Sequence, residues 1–313
     1  MLELFDITKF VITGLIYGIA TIGVANTMRY LRTPDFSWFG SLMMGGVIAI
    51  CTANWSGFWG IGICSAILIG MLLGSLTTFF YCTLKSPLVL AGIVTYTFSS
   101  GCAYLCTDSG VVALQEVENT FFGGKFDVAW CLGMAVIICI AGGVFIRTKL
   151  GSLVLAMLAD DRFVMHRHRY ANHVRGMIVI SSNGLVALSG ALFALKDKTA
   201  YIQAHGDFLT VSMGSFFGIS IAWVLLKQSA AMKELKISGI LEELMPTGKD
   251  DTKHLGWLYL GFFFGAVLLC ALGGICREQF NDPSLTYFSQ AGVIALAILT
   301  GYFAQSKRGE RSE

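Results

Sequence analysis

Three of the five histidines lie close together and are the densest group of potential metal ligands: His166, His168 and His173, in the run MHRHRYANH. A metal site needs side chains that converge on one point. On a helix, residues two positions apart project in different directions, so His166 and His168 would diverge. Because Arg167, Arg169 and Arg175 accompany the histidines, the run indicates a basic surface, and we expect neither a metal nor another cofactor.

The cysteines are a second group that could bind metal or form disulfides. None of the nine belongs to a C-x-x-C pair, which removes support for zinc-ribbon and thioredoxin-like sites. Most lie in apolar runs, where a buried thiol is inert. We therefore interpret them as small apolar packing residues: Cys51, Cys64, Cys82, Cys102, Cys106, Cys131, Cys139, Cys270 and Cys276.

Nucleotide binding would require a glycine-rich phosphate loop, and the sequence has none. The two Gly-Lys pairs begin at Gly124 and Gly248, and Asn119 and Glu243 stand where the loop needs its first glycine. Neither pair is followed by Ser or Thr. If ATP drives this protein, a separate chain must bind it, and no catalytic residue is expected here.

The composition identifies the elements that hold these residues as membrane helices. Hydrophobic residues make up 55% of the 313 residues and charged residues 13%, against roughly 25% charged in soluble domains. We predict an all-α bundle of about nine transmembrane helices, forming one permease domain over 1–313. Their expected spans are 10–28, 36–53, 59–81, 87–107, 128–146, 177–195, 208–226, 256–275 and 284–304.

Basic residues predict the orientation. With nine spans, 17 of the 22 Lys and Arg residues lie on one side, in 29–35, 82–86, 147–176, 227–255 and the C-terminal tail. Cytoplasmic loops carry such an excess. We therefore expect the N-terminus outside and the C-terminus in the cytoplasm, with no nucleic-acid partner at a net charge of +2.

Neutral polar residues enter the spans, whereas no charged residue or histidine lies in the middle of one. This pattern disfavours a proton- or ion-coupled carrier, an intramembrane protease and a redox enzyme. Two interpretations of the polar residues stay open, namely hydrogen bonds between helices or a weakly polar solute path. The candidate path residues are Asn26, Ser37, Tyr96, Thr97, Ser182 and Asn183.

The loop 147–176 is patterned and is predicted to be a docking element. Its apolar residues from Leu150 to Leu158 recur at helical spacing, and Asp160-Asp161 can begin a second short helix. A connector that carries only cytoplasmic charge is the alternative. The candidate contacts with a cytosolic partner are Asp160, Asp161, Arg162, Val164, Met165, His166 and Arg167.

Four segments resemble one protein family. SNGLVALSGALFA at 182–194 is similar to the segment after the coupling loop in permease subunits of bacterial ABC importers of the branched-chain amino-acid and ribose type. PDFSWFGSLMMGG at 34–46, PLVLAGIVTYTFSS at 87–100 and RTKLG at 147–151 resemble further family segments. The chain is most similar to permeases paired with tryptophan- or tyrosine-type binding lipoproteins, but departs from the family at RHRY, 167–170.

The resemblance implies a multi-pass, non-catalytic transport subunit in the bacterial inner membrane, with 147–176 as its cytoplasmic coupling loop and 227–255 as a cytoplasmic polar loop. It implies transport of a small solute, such as an amino acid. The implied partners are a cytosolic ATP-binding subunit, an extracytoplasmic solute-binding lipoprotein, a second permease copy or close paralogue, and the lipid bilayer. The alternative is a stand-alone secondary carrier or channel without an ATPase.

Overall fold

The computed structural model describes residues 4–31, 33–107, 110–115, 127–159, 171–202, 211–212, 215, 261 and 264–271. Within these ranges, seven helices and two short strands follow one another: α1 Leu4–Leu31, α2 Ser37–Ser56, α3 Trp59–Thr78, α4 Leu88–Cys106, β1 Val111–Ala113, α5 Asp127–Ile146, α6 Lys149–Ala159, α7 Ala171–Asp197 and β2 Thr199–Tyr201. A π-helical turn, Phe79–Thr83, follows α3.

Six of these helices are long and apolar enough to cross a membrane, namely α1 to α5 and α7. They coincide with the first six predicted spans. Of the remaining three, 284–304 lies outside the described residues, and 208–226 and 256–275 are described only in part. The polytopic helical bundle is therefore confirmed, while the count of nine and the orientation stay predictions.

Local sequence explains where α2 ends and α4 begins. Gly57 follows α2 at φ 69°, a left-handed conformation that glycine accepts readily, and its N–H donates to Ala53 O at 2.8 Å. Pro87 immediately precedes α4. The first N–H groups of a helix have no partner within it, so proline is well tolerated at this position.

The connections between helices gather at two ends of the bundle. At one end, β1 pairs antiparallel with β2, and Asn54 at the end of α2 donates to Ala113 O at 3.0 Å. At the other end, α6 packs on α1, α5 and α7. We call these the sheet end and the α6 end. The described parts of three segments that were predicted to be cytoplasmic, 29–35, 82–86 and 147–176, lie towards the α6 end.

Helix α7 is the centre of the bundle, because α1, α2 and α3 all pack against it. Glycines let the backbones touch. A Cβ on Gly45 would collide with the Ala187 backbone, and one on Gly190 would collide with the carbonyl group of Leu42. On α3, a Cβ on Gly74 would lie 2.8 Å from Ile180 Cα. Such close contacts between helices are the usual source of packing energy inside membranes.

Candidate functional site

Four polar side chains meet where α2 begins, and we call them the Asn183 network: Asp35, Ser37, Ser41 and Asn183. The Ser37 hydroxyl lies 2.6 Å from Asp35 Oδ1 and 3.0 Å from Asn183 Oδ1. Ser41 Oγ donates to Asn183 Oδ1 at 2.6 Å, and Asn183 Nδ2 donates to Asp35 Oδ2 at 3.1 Å. All four side chains are fully buried, so the network joins α2 to α7 out of contact with water.

Local structure places Asp35 in this network. Its Oδ1 accepts the backbone N–H of Ser37 at 2.9 Å, an Asx-turn geometry that starts the helix. Gly92 on α4 lies directly against this turn, since a Cβ there would stand 2.7 Å from Asp35 Oδ1 and from Phe36 N. Only a hydrogen atom fits at this position, and α4 therefore closes the site from its third side.

The environment of Asp35 favours its neutral form. Burial raises the pKa of the Asp35 carboxyl, because removal from water penalises the charged state. The hydrogen bonds from Ser37 and from the Asn183 amide oppose this effect, but the net direction is upward. Asp35 lies in the connection between two spans, and sequence reasoning did not place it among the site residues.

A cavity of about 430 Å³ lies on another side of α7, between α1, α3, α5 and α6. Its walls are mainly apolar and include Ile67, Ile138 and Val154, while Asn26, Tyr30 and Ser181 supply polar groups. Leu150 and Val154 of α6 form part of its wall. Val154 also packs with Val174 and Ile178 of α7, so a displacement of α6 would change the shape of the cavity.

The structure distributes the six predicted path residues over several environments. Ser37 and Asn183 meet in the Asn183 network, whereas Asn26 lines the cavity. Ser182 is buried, and its hydroxyl has no hydrogen-bond partner among the described residues. Tyr96 is half-buried with its ring 6.0 Å from that of Phe39, and Thr97 is exposed on α4. A single path through all six stays a prediction.

The predicted coupling residues, 160–162 and 164–167, lie outside the described residues. The helical pattern before them is confirmed, because α6 covers Lys149–Ala159. Thr148 accepts the backbone N–H of Gly151 at 3.1 Å in the first turn of this helix. Within the described ranges, no three His, Cys, Asp or Glu side chains are placed to hold a metal ion.

Comparison with curated proteins finds a similarity to the tyrosine transport system permease protein of Clostridioides difficile (strain R20291), with 25% identity over 181 residues. The aligned region covers 58% of this chain and 61% of that relative. No family model and no solved structure matches the chain. The match confirms the resemblance to a transport-system permease, and with the six apolar helices it supports a multi-pass protein of the cell membrane.

Proposed function

We propose that the chain is the membrane permease subunit of an ATP-driven uptake system, and that its solute is an amino acid with an apolar or aromatic side chain. The cavity beside α6 is the observation that carries this proposal. Its volume of about 430 Å³ falls within the range of small-molecule sites, about 300–1,000 Å³. The tyrosine system named for the relative supports the choice of solute.

The composition of the cavity wall matches such a solute. Apolar residues of α1, α3, α5 and α7 would contact its side chain, and Asn26, Tyr30 and Ser181 offer hydrogen bonds to its polar atoms. A site of this kind binds weakly enough to release its ligand, because none of the described residues that line it carries a charge to pair with the solute's own charges. A transporter must release its solute as well as bind it.

The partner ATPase would change the shape of the cavity by moving α6. A cytosolic ATPase bound at 147–176 would favour one position of α6, and through Leu150 and Val154 it would favour one shape of the cavity. Nucleotide binding then shifts a two-state equilibrium of the bundle. An external solute-binding protein would deliver its ligand at the sheet end, and a second permease copy would complete the transporter.

The buried Asp35 carboxyl favours a second candidate, a stand-alone carrier. Ionisable groups buried among membrane helices often take part in proton relays, and Asp35 is fully buried at the joint of α2, α4 and α7. Such a carrier would transport without any ATPase. Uptake into liposomes that contain the purified chain alone would therefore establish this alternative and exclude the ATP-driven subunit.

Met165→Asp should release the ATPase from the complex. It places an unpaired charge in the proposed docking helix, which costs about 3–5 kcal/mol when a contact buries it. We expect normal membrane insertion, loss of ATPase co-purification and loss of ATP-dependent uptake. Val164→Ala should be milder, at roughly 1–2 kcal/mol. Lys196→Glu, at the sheet end, is the control and should keep the ATPase bound. If Met165→Asp binds the ATPase and transports normally, 147–176 only connects two membrane helices and does not dock the ATPase.

Ala141→Phe should reduce uptake by narrowing the cavity that Ala141 lines. We expect KM for the solute to rise at least tenfold, because the added ring occupies space that the solute needs. The matched control is Gly143→Phe, two residues away on α5, where an added Cβ would lie more than 4 Å from every atom of the described part of the chain. Both variants are measured in liposomes with the complete transporter. An unchanged KM in Ala141→Phe would show that the solute does not bind in this cavity.

A further inference from the structure

The Ser37 hydroxyl faces two acceptors but has only one hydrogen to donate. Its oxygen lies 2.6 Å from Asp35 Oδ1 and 3.0 Å from Asn183 Oδ1. Both distances are those of O–H···O hydrogen bonds. One hydroxyl cannot direct its hydrogen fully at both oxygens. Ser37 therefore makes two oxygen–oxygen contacts of hydrogen-bond length but has a hydrogen for only one of them.

The orientation of the Asn183 amide shows that its oxygen, and not its nitrogen, faces Ser37. Its Nδ2 donates to Asp35 Oδ2 at 3.1 Å and to Val179 O at 3.0 Å, which uses both amide hydrogens. Rotating the amide by half a turn would bring its oxygen against the Val179 carbonyl. The orientation is assigned from this network. Asn183 Oδ1 must then be the acceptor that faces Ser37 and Ser41.

If Asp35 is protonated, each of these oxygen–oxygen contacts contains one hydrogen. With an ionised Asp35, Ser37 donates to the carboxylate, and no hydrogen lies between Ser37 Oγ and Asn183 Oδ1. With a protonated Asp35, the acid donates to Ser37 Oγ, and Ser37 donates in turn to Asn183 Oδ1. Ser41 continues to donate to Asn183 at 2.6 Å. A buried network is stable only when all its members are satisfied, so the protonated form fits this geometry.

We propose that the Asp35 carboxyl is a proton-binding site, which holds one proton while α2 and α7 are packed together and releases it to water when they separate. The site takes its proton from water and returns it there, so no other reactant is needed. This inference goes beyond the transport function, and it holds whether or not an ATPase drives the protein.

The surroundings of Asp35 agree with this site. Ser37 faces the carboxyl from α2, Asn183 from α7 and Gly92 from α4. None of these residues is charged or titrates near neutral pH, and no neighbouring charge is among the causes of the upward pKa shift of Asp35. A raised pKa in the packed state means that the proton's contribution to packing is fully present below the ordinary pKa of 3.8 and lost as pH rises through the raised value.

Infrared spectroscopy of the purified full chain tests the proposal directly. We expect the wild-type protein at pH 7 to show a carbonyl stretching band from a protonated carboxylic acid. The band should be absent from Asp35→Asn and should disappear at higher pH, with slower hydrogen exchange than for a surface acid. Ser41→Ala is the control, since it leaves the Asp35–Ser37–Asn183 chain intact and should keep the band at the same pH.

Ser37→Ala supplies a second measurement that does not depend on Asp35→Asn being folded. It removes the acceptor of the acid's hydrogen, so the band should shift in frequency, because the carbonyl stretch of an acid depends on the hydrogen bond that its O–H donates. A wild-type spectrum at pH 7 that lacks an acid band would overturn the proposal. So would a band that persists unchanged in a folded Asp35→Asn protein, because that band would belong to another residue.

Discussion

Replacing Gly190 by leucine is expected to prevent the chain from reaching a stable fold in the membrane. A Cβ at this position would collide with the carbonyl oxygen of Leu42 and would lie 2.8 Å from its carbonyl carbon. Overpacking a core commonly costs about 1–3 kcal/mol, and here the obstacle is a helix backbone that cannot rotate away. Gly190→Ala should already lower the thermal stability in detergent, and Gly190→Leu should yield little monodisperse protein.

The control for this prediction lies on α5. Gly133 is also inside a membrane helix, but a Cβ there would meet no atom of the described residues within 4 Å. The pair Gly133→Ala and Gly133→Leu therefore makes the same chemical changes without the collision, and both proteins should behave as the wild type in size-exclusion chromatography and thermal unfolding. Equal stability of Gly190→Leu and Gly133→Leu would show that α2 and α7 do not approach as closely as described.

Asn183→Leu should destabilise the bundle more than any other single change in the Asn183 network. The substitution removes the donor to Asp35 Oδ2 and the acceptor shared by Ser37 and Ser41. Each buried polar group left without a partner costs about 1–3 kcal/mol. We expect a fall in the thermal unfolding temperature and loss of solute uptake, measured in detergent and in liposomes respectively.

The neighbouring residue provides the matched control. Ser182 is fully buried like Asn183, but its hydroxyl has no partner among the described residues. Ser182→Ala removes an unpaired polar atom, so stability should be unchanged or slightly higher. If Ser182→Ala and Asn183→Leu destabilise the protein equally, burial alone decides the effect, and the hydrogen bonds of the Asn183 network contribute nothing.

The sequence was sufficient to predict the helices, because an apolar run of about 20 residues is a property of composition. It also singled out Ser37 and Asn183, since polar residues are rare in such runs. It could not show that they meet. The two are separated by 146 positions, and no local pattern encodes contacts between distant helices. Asp35 is not among the predicted site residues for a different reason. It lies in the loop before α2, and loop residues usually contact water.

Helix α4 shows where closer attention to spacing would have helped. Tyr96 and Thr97 are the two residues of this helix that the sequence predicts to line a solute path. The buried side of α4 instead contains Ala91, Thr95 and Ser99, four residues apart, as expected for one face of a helix. Thr77 of α3 donates to Thr95 Oγ1 at 2.9 Å. Helical periodicity, applied to the small and polar residues alone, would have identified this face.

The central position of α7 has a consequence for how such chains evolve. Gly23 of α1, Gly45 of α2 and Gly70 of α3 lie directly against the backbone of α7, so larger side chains at these contacts would force the helices apart. On the outer side of α5, by contrast, Trp130, Ile137 and Ile140 are largely exposed, and the described residues place no neighbouring backbone against Gly133 or Gly143. Related proteins should therefore diverge slowly along 182–194 and rapidly along α5. A distant relative would then be recognisable mainly by the stretch of α7 from Ser182 to Ala194.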